Sequence, residues 1–165
     1  MIHLEASFTE NGNSYFLHPG YVFVSQEPYF IHTVLGSCVA IAIWDKLNKC
    51  GGMNHFVLPS AENKPNGRYG NVSIPYLFHL MKKIKSDRHN LEIHVLGGSS
   101  NDTMKSKVGP LNVEYAMDWL KNNHYQIASK DTGGGLGRKV IFNTENGELL
   151  VYKLKKIRNS DWYNT

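Results

Sequence analysis

Large and small apolar side chains alternate along part of this chain with the period of a β-strand. From Cys38 to Trp44 the large residues Val39, Ile41 and Ile43 share one parity, and the small residues Cys38, Ala40 and Ala42 share the other. Gly52 to Leu58 is a second strand candidate, and Asp45-Lys46-Leu47-Asn48 between them carries turn chemistry. A hairpin closed by those four residues sets Trp44 opposite Lys49 and Cys38 directly opposite His55. A register shift of two would leave that pair diagonal, and a shift of one would send the two side chains to opposite faces.

Tyr21 to Val24 and Tyr29 to Val34, separated by Pro28, are short strand candidates rich in β-branched and aromatic residues. Pro75 to Arg88 predicts a helix with Leu77, Leu80, Met81 and Ile84 on its apolar stripe and Pro75 in its first turn. A strand from Leu91 to Leu96 ends at Gly97-Gly98, and Asn112 to Asn123 predicts a helix with Val113, Ala116, Met117 and Leu120 inward. Beyond the glycine cluster of Thr132 to Gly137, strands at Lys139 to Asn143 and Glu148 to Lys153 are joined through Asn146-Gly147, a strong hairpin signal. About the first 18 residues, polar and rich in Gly and Asn, read as an irregular lead-in. Together these elements predict an α+β fold: one domain over 1–165, a mixed or antiparallel sheet sandwich with flanking helices, and Cys38 and His55 on adjacent strands.

Composition narrows the function classes. A hydrophobic share of 41% with 19% charged residues supplies a real core and excludes disorder. The net charge of +4 is spread along the chain apart from Lys82 to Lys85 and Lys153 to Arg158, which reads as solvated surface rather than a nucleic-acid footprint. No stretch approaches the roughly 20 apolar residues of a membrane span, and the N-terminus lacks the layout of a signal peptide, so a cytoplasmic protein without membrane insertion is expected. Cys38 and Cys50 form no disulfide framework and would stay thiols in a reducing compartment.

Any special role for cysteine is therefore chemical. A cysteine hydrolase needs a thiol, an imidazole within reach of it, and backbone donors for an oxyanion. Cys38 and His55 supply the first two, and the turn Gly36-Ser37 just before the thiol offers amides toward a bound carbonyl. An imidazolium beside the thiol would lower its pKa. The residues alone also permit a bland reading, a small buried cysteine and a structural histidine. The glycine run Gly133 to Lys139 satisfies neither dinucleotide nor P-loop spacing, and Cys38, Cys50, His55 and His32 lack paired metal-ligand spacing, so no metal and no cofactor are expected.

The stretch His32-Thr33-Val34-Leu35-Gly36-Ser37-Cys38-Val39-Ala40, followed by Gly51-Gly52-Met53-Asn54-His55-Phe56-Val57-Leu58-Pro59, resembles the CheD family of chemoreceptor glutamine deamidases. Arg68-Tyr69-Gly70, Gly97-Gly98, Gly109 with Asn112, Asp131 to Gly134, and Gly137 to Val140 resemble later signatures of that family in the same order. Asn71 and the segment Pro110-Leu111-Asn112 depart from it. The resemblance implies a Cys-His-Thr triad of Cys38, His55 and a threonine whose place falls on either Thr33 or His32, with Thr33 preferred because its hydroxyl can orient His55 without charge. It further implies hydrolysis of glutamine side chains on chemoreceptor cytoplasmic domains through a cysteine thioester, with methylesterase activity as a side reaction. Gly36, Ser37, Arg68 and Arg138 are the expected substrate contacts. The alternative is a regulatory module that partners a CheC-type phosphatase and hydrolyses little.

Overall fold

Strand β4 (Val39–Asp45) decides the architecture, because its two faces are buried against different layers. Its large residues Val39, Ile41 and Ile43 join a core with Ile74, Leu77, Phe78, Met81, Ala116 and Leu120. Its small residues Ala40 and Ala42 join a second core with Ile31, Leu35, Met53, Val140 and Phe142. A strand with helices on one side and a second sheet on the other has no solvent face, which is why nearly every residue in it is apolar.

The computed structural model describes residues 12–63, 65–101 and 106–163. The remaining elements are β1 (Asn13–Phe16), β2 (Val22–Ser25), β3 (Tyr29–Leu35), β5 (Cys50–Asn54), α1 (Gly70–Lys83), β6 (Leu91–Gly97), α2 (Val108–Asn122), β7 (Ser129–Thr132), β8 (Gly137–Asn143), β9 (Leu149–Leu154) and α3 (Ser160–Tyr163). One sheet runs β1-β3-β8-β9 and the other β2-β5-β4-β6-β7. Each is mixed: β1 lies parallel to β3 and β6 parallel to β7, while the other pairs are antiparallel. The two sheets face each other, and α1 and α2 pack on the outer face of the five-stranded one, which makes the fold the expected α+β sandwich with helices outside.

Four expectations need adjustment. Of the irregular lead-in, residues 1–11 lie outside the described residues, but Asn13–Phe16 is ordered as β1 through its parallel register with β3. The hairpin of β4 and β5 closes one residue later than expected, with Asp45 opposite Cys50 and a loop at 46–49. Asp45 is not a loop residue because its carboxylate is buried and accepts from the amides of Leu47, Asn48 and Asp87, from Ser86 Oγ and from Asn48 Nδ2. Burial opposes ionisation there, yet those donors hold its pKa below the ordinary value.

Both helices also start earlier than expected. α1 begins at Gly70, pinned where Leu58 bridges Tyr69 and where the Asn71 amide clasps both backbone groups of Ala61. Pro75 sits exposed in its second turn, and the buried stripe is Ile74, Leu77, Phe78 and Met81, starting three residues before the expected one. α2 begins at Val108 and carries Pro110 in its first turn, where a missing N–H costs no helical bond.

Candidate active site

Cys38 is the residue immediately before β4, and His55 is the residue immediately after β5. The hairpin continues past the strand ends through a mutual pair in which Val39 and Phe56 exchange amide hydrogen bonds of 3.1 and 2.9 Å. Cys38 is thus opposite Val57 rather than His55, and the thiol and imidazole are diagonal neighbours across that pair. Face is preserved by the even shift. Val39 and Phe56 enter the helix-side core, so Cys38 and His55 turn to the space between the sheets.

The turn before Cys38 is held by its carbonyls. Those of Gly36, Ser37 and Cys38 accept in succession from Ser99 N, Asn112 Nδ2 and Gly98 N at 2.9, 2.9 and 2.8 Å. The same Asn112 amide group donates to Val57 O at 2.8 Å, so one side chain of α2 ties the Cys38 turn to the strand extension that carries His55. Glycine is required beneath this clamp: a Cβ on Gly97 would stand 2.3 Å from Cys38 O, and one on Gly109 would stand 2.4 Å from Ser99 O. Because carbonyl and N–H point oppositely in a planar trans peptide, fixing Ser37 O on Asn112 turns the Cys38 N–H the other way, toward its own thiol. Asn112 and the paired glycines were visible in the sequence only as signatures; their bracing role depends on contacts between three chain segments.

His55 is fully buried, and its backbone is fixed by Gly20 N donating to its carbonyl and by its own N–H donating to Tyr21 O. Its Nδ1 lies 2.8 Å from Thr33 Oγ1. Thr33 donates its single hydroxyl proton to Leu17 O at 2.7 Å, so toward His55 it accepts, and the imidazole carries its proton on Nδ1. The lone pair is thereby left on Nε2, a buried atom with no hydrogen-bond partner among the described residues.

Thr33 reaches His55 from the opposite sheet. On β3 it has the parity of Ile31 and Leu35 and faces the inter-sheet core. His32 has the other parity and stacks on Phe16 with ring centroids 5.0 Å apart. Burial, aided by Lys139, lowers its pKa to about 4.

The electrostatics differ from those expected of a preformed ion pair. Burial pushes the Cys38 thiol up to about 11, against smaller lowering effects from Arg68 and from the Cys38 N–H. Burial brings His55 down to about 3, despite the nearby Leu17 carbonyl, which favours the charged form. Burial thus favours the neutral form of both groups, with the proton on sulfur and the imidazole as an unprotonated base.

The expected substrate contacts divide. Gly36 and Ser37 line a cavity of about 370 Å³ together with Ser99, Gly135 and Ile157. Arg68 is exposed and close enough for its charge to reach the thiol. Arg138 instead is buried, with its guanidinium committed to Asp131 Oδ1 at 3.0 Å and to the carbonyls of Gly133 and Leu136. It braces the glycine loop from within, and the loop's shape is what it offers the site. No cluster that could hold a metal ion occurs among the described residues.

The site thus offers a thiol on a braced turn, diagonal across the hairpin to an imidazole whose Nδ1 is held by a hydroxyl. Residues 57–153 match the family model described as CheD, chemotactic sensory transduction. The chain is 37% identical over 147 residues to the probable chemoreceptor glutamine deamidase CheD of Trichlorobacter lovleyi, covering 86% of this chain and 91% of that one. It is 34% identical over 150 residues to the protein of the same name from Hahella chejuensis, covering 86% and 70%. The corresponding protein of Methanococcus vannielii is 32% identical over 146 residues, covering 85% and 95%. The chain belongs to the CheD family.

Proposed function

We propose that this chain deamidates glutamine side chains on the cytoplasmic domains of chemoreceptors, with Cys38 as nucleophile, His55 as general base and acid, and Thr33 as the group that orients His55. The observation that carries the reading is the Thr33 contact. By spending its proton on Leu17 O, Thr33 forces the Nδ1–H tautomer and leaves the base lone pair on the nitrogen that faces away from it. The substrate class comes from the relatives' names. No helix among the described residues is long and apolar enough to cross a membrane, which fits action on the cytoplasmic side of a receptor.

In the reaction the thiol proton passes to His55 Nε2 as sulfur bonds to the amide carbon, and the carbonyl oxygen takes up negative charge opposite the Cys38 N–H. The tetrahedral intermediate collapses as His55 returns the proton to the departing nitrogen, releasing ammonia and leaving a thioester. Water then gives a proton to His55 and adds to the thioester carbon, the C–S bond breaks, and sulfur recovers its proton, leaving glutamate. Because the resting thiol is neutral, proton transfer is coupled to attack rather than completed before it. Diagonal cross-strand residues are about 7 to 8 Å apart at Cα, so rotation of the Cys38 side chain brings sulfur to the imidazole. A glutamyl methyl ester fits the same steps with methanol leaving.

Ammonia release from a purified receptor cytoplasmic domain tests the proposal. The wild-type chain should release ammonia in proportion to glutamine lost, and Cys38→Ala should release none. A module that only binds a CheC-type phosphatase would release none in either case.

A further inference from the structure

The chain beyond β9 turns back over the mouth of the site. Ile157 lies against the turn before Cys38 and the start of β8, since Cβ atoms on Gly36 and Gly137 would stand 3.4 and 3.1 Å from it. A few residues on, the single turn α3 is closed by Asp161, whose carboxylate accepts the Arg158 N–H at 2.6 Å. That turn presents Trp162 parallel to two imidazoles. Its ring lies 5.1 Å from His18 at an interplanar angle of 16°, and 6.4 Å from His55 at 8°. The family match ends at residue 153, so this contact comes from a stretch outside the matched span.

We propose that Trp162 is a positioning residue for His55: its indole covers one face of the ring, keeps water from the Thr33–His55 hydrogen bond, and fixes the plane in which Nε2 meets Cys38. This rests on the reading of His55 as the catalytic base. An imidazole held by one hydrogen bond at Nδ1 can still swing about that bond, and a parallel aromatic neighbour removes the swing. The cover also excludes solvent, in keeping with the complete burial of His55. The groups facing His55 are otherwise Thr33 and the Leu17 carbonyl, both neutral, the thiol of Cys38, and His18, whose charge when protonated opposes charge on His55.

The test uses the full chain with Trp162→Ala and Trp162→Phe, reading kcat, KM and the pH dependence of both, and following the His55 ring protons by NMR with His55→Gln as the assignment control. Trp162→Ala is expected to lower kcat about 10-fold with KM within about twofold, the loss of a positioning contact rather than a substrate contact. The His55 titration should move up from about 3 toward the ordinary histidine range, and Trp162→Phe should restore most of kcat. A rise in kcat on Trp162→Ala would overturn the proposal in favour of an inhibitory lid. A change in KM alone would overturn it in favour of a substrate wall. An unmoved His55 titration would overturn it in any case. If the wild-type chain proves to release no ammonia, the deamidase reading fails, while the NMR titration still decides whether Trp162 holds His55.

Discussion

The two faces of β4 do different work with the same backbone. On one, Val39, Ile41 and Ile43 fill a thick layer beneath α1 and α2. On the other, Ala40 and Ala42 follow Cys38 and let the second sheet approach, which is how Thr33 of β3 comes within 2.8 Å of His55 beyond β5. The first face stabilises through buried area and tolerates exchange of one aliphatic residue for another. The second sets a distance between sheets, and the proposed chemistry depends on that distance. Side-chain volume on the thin face is thus a property of the site rather than of the core.

The largest effect expected from breaking this contrast is at the thiols. Cys38→Ala should abolish deamidation, because no other group there can form the thioester, whereas Cys50→Ala, at the far end of the hairpin opposite Asp45, should leave most activity. Ammonia release from both variants checks it, and equal losses would point to folding instead.

Next is the contact between the sheets. Thr33→Ala should lower kcat by about 10- to 1000-fold, a loss of roughly 1.4 to 4 kcal/mol of transition-state stabilisation. Thr33→Ser should recover part of it by keeping the hydroxyl. His32→Ala, on the outer side of β3, should cost little catalysis. Steady-state kinetics on variants shown to be folded by circular dichroism separate the two.

A smaller effect sharpens the comparison of faces directly. Ala42→Leu pushes the sheets apart and should cost about 1 to 3 kcal/mol of stability by overpacking, together with a fall in kcat. Ile41→Val on the thick face should cost about 0.5 to 1.5 kcal/mol with kcat unchanged. Urea unfolding and kinetics on the same two proteins make the test, and equal effects on kcat would dissolve the distinction.

The smallest effect is on pH dependence. His55 and His32 have folded-state pKa values lowered to about 3 and about 4, so the unfolded chain takes up protons first as pH falls. Their contribution to stability is complete above the ordinary histidine pKa of about 6.5 and is lost as pH falls from there toward 4. Urea midpoints should therefore decline over that window and be flat just above it. The raised thiol pKa of about 11 predicts in turn that iodoacetamide labelling of Cys38 is slow at neutral pH and climbs steeply in alkali.

Much of this was written locally. The alternation from Cys38 to Trp44 showed which residues share a face, Asn146-Gly147 marked the β8–β9 hairpin, and Ala116 and Leu120 were correctly turned inward on α2. What escaped was decided by distant partners. Asp45 reads as a turn residue until Ser86 and Asp87 are seen to bind it, and that single residue moved the register. Pro75 signals a helix start and Asn112 opens the second apolar stripe, yet the earlier turns are set by the tie at Leu58 and Tyr69 and by the close packing of Gly109. That Thr33 meets His55 is not legible locally, because nothing in the sequence says that β3 and β4 belong to different sheets. Trp162 had no periodic signal at all, being one of two adjacent aromatics in a short polar tail.

The most direct test of the account is the mass of receptor peptides after co-expression with this chain. Wild type should convert specific receptor glutamines to glutamate, a shift of about one dalton per site that follows from replacing an amide nitrogen by oxygen, and Cys38→Ala should leave those peptides unshifted. Unshifted peptides with the wild-type chain, or equal shifts with Cys38→Ala, would contradict the claim that Cys38 carries out deamidation.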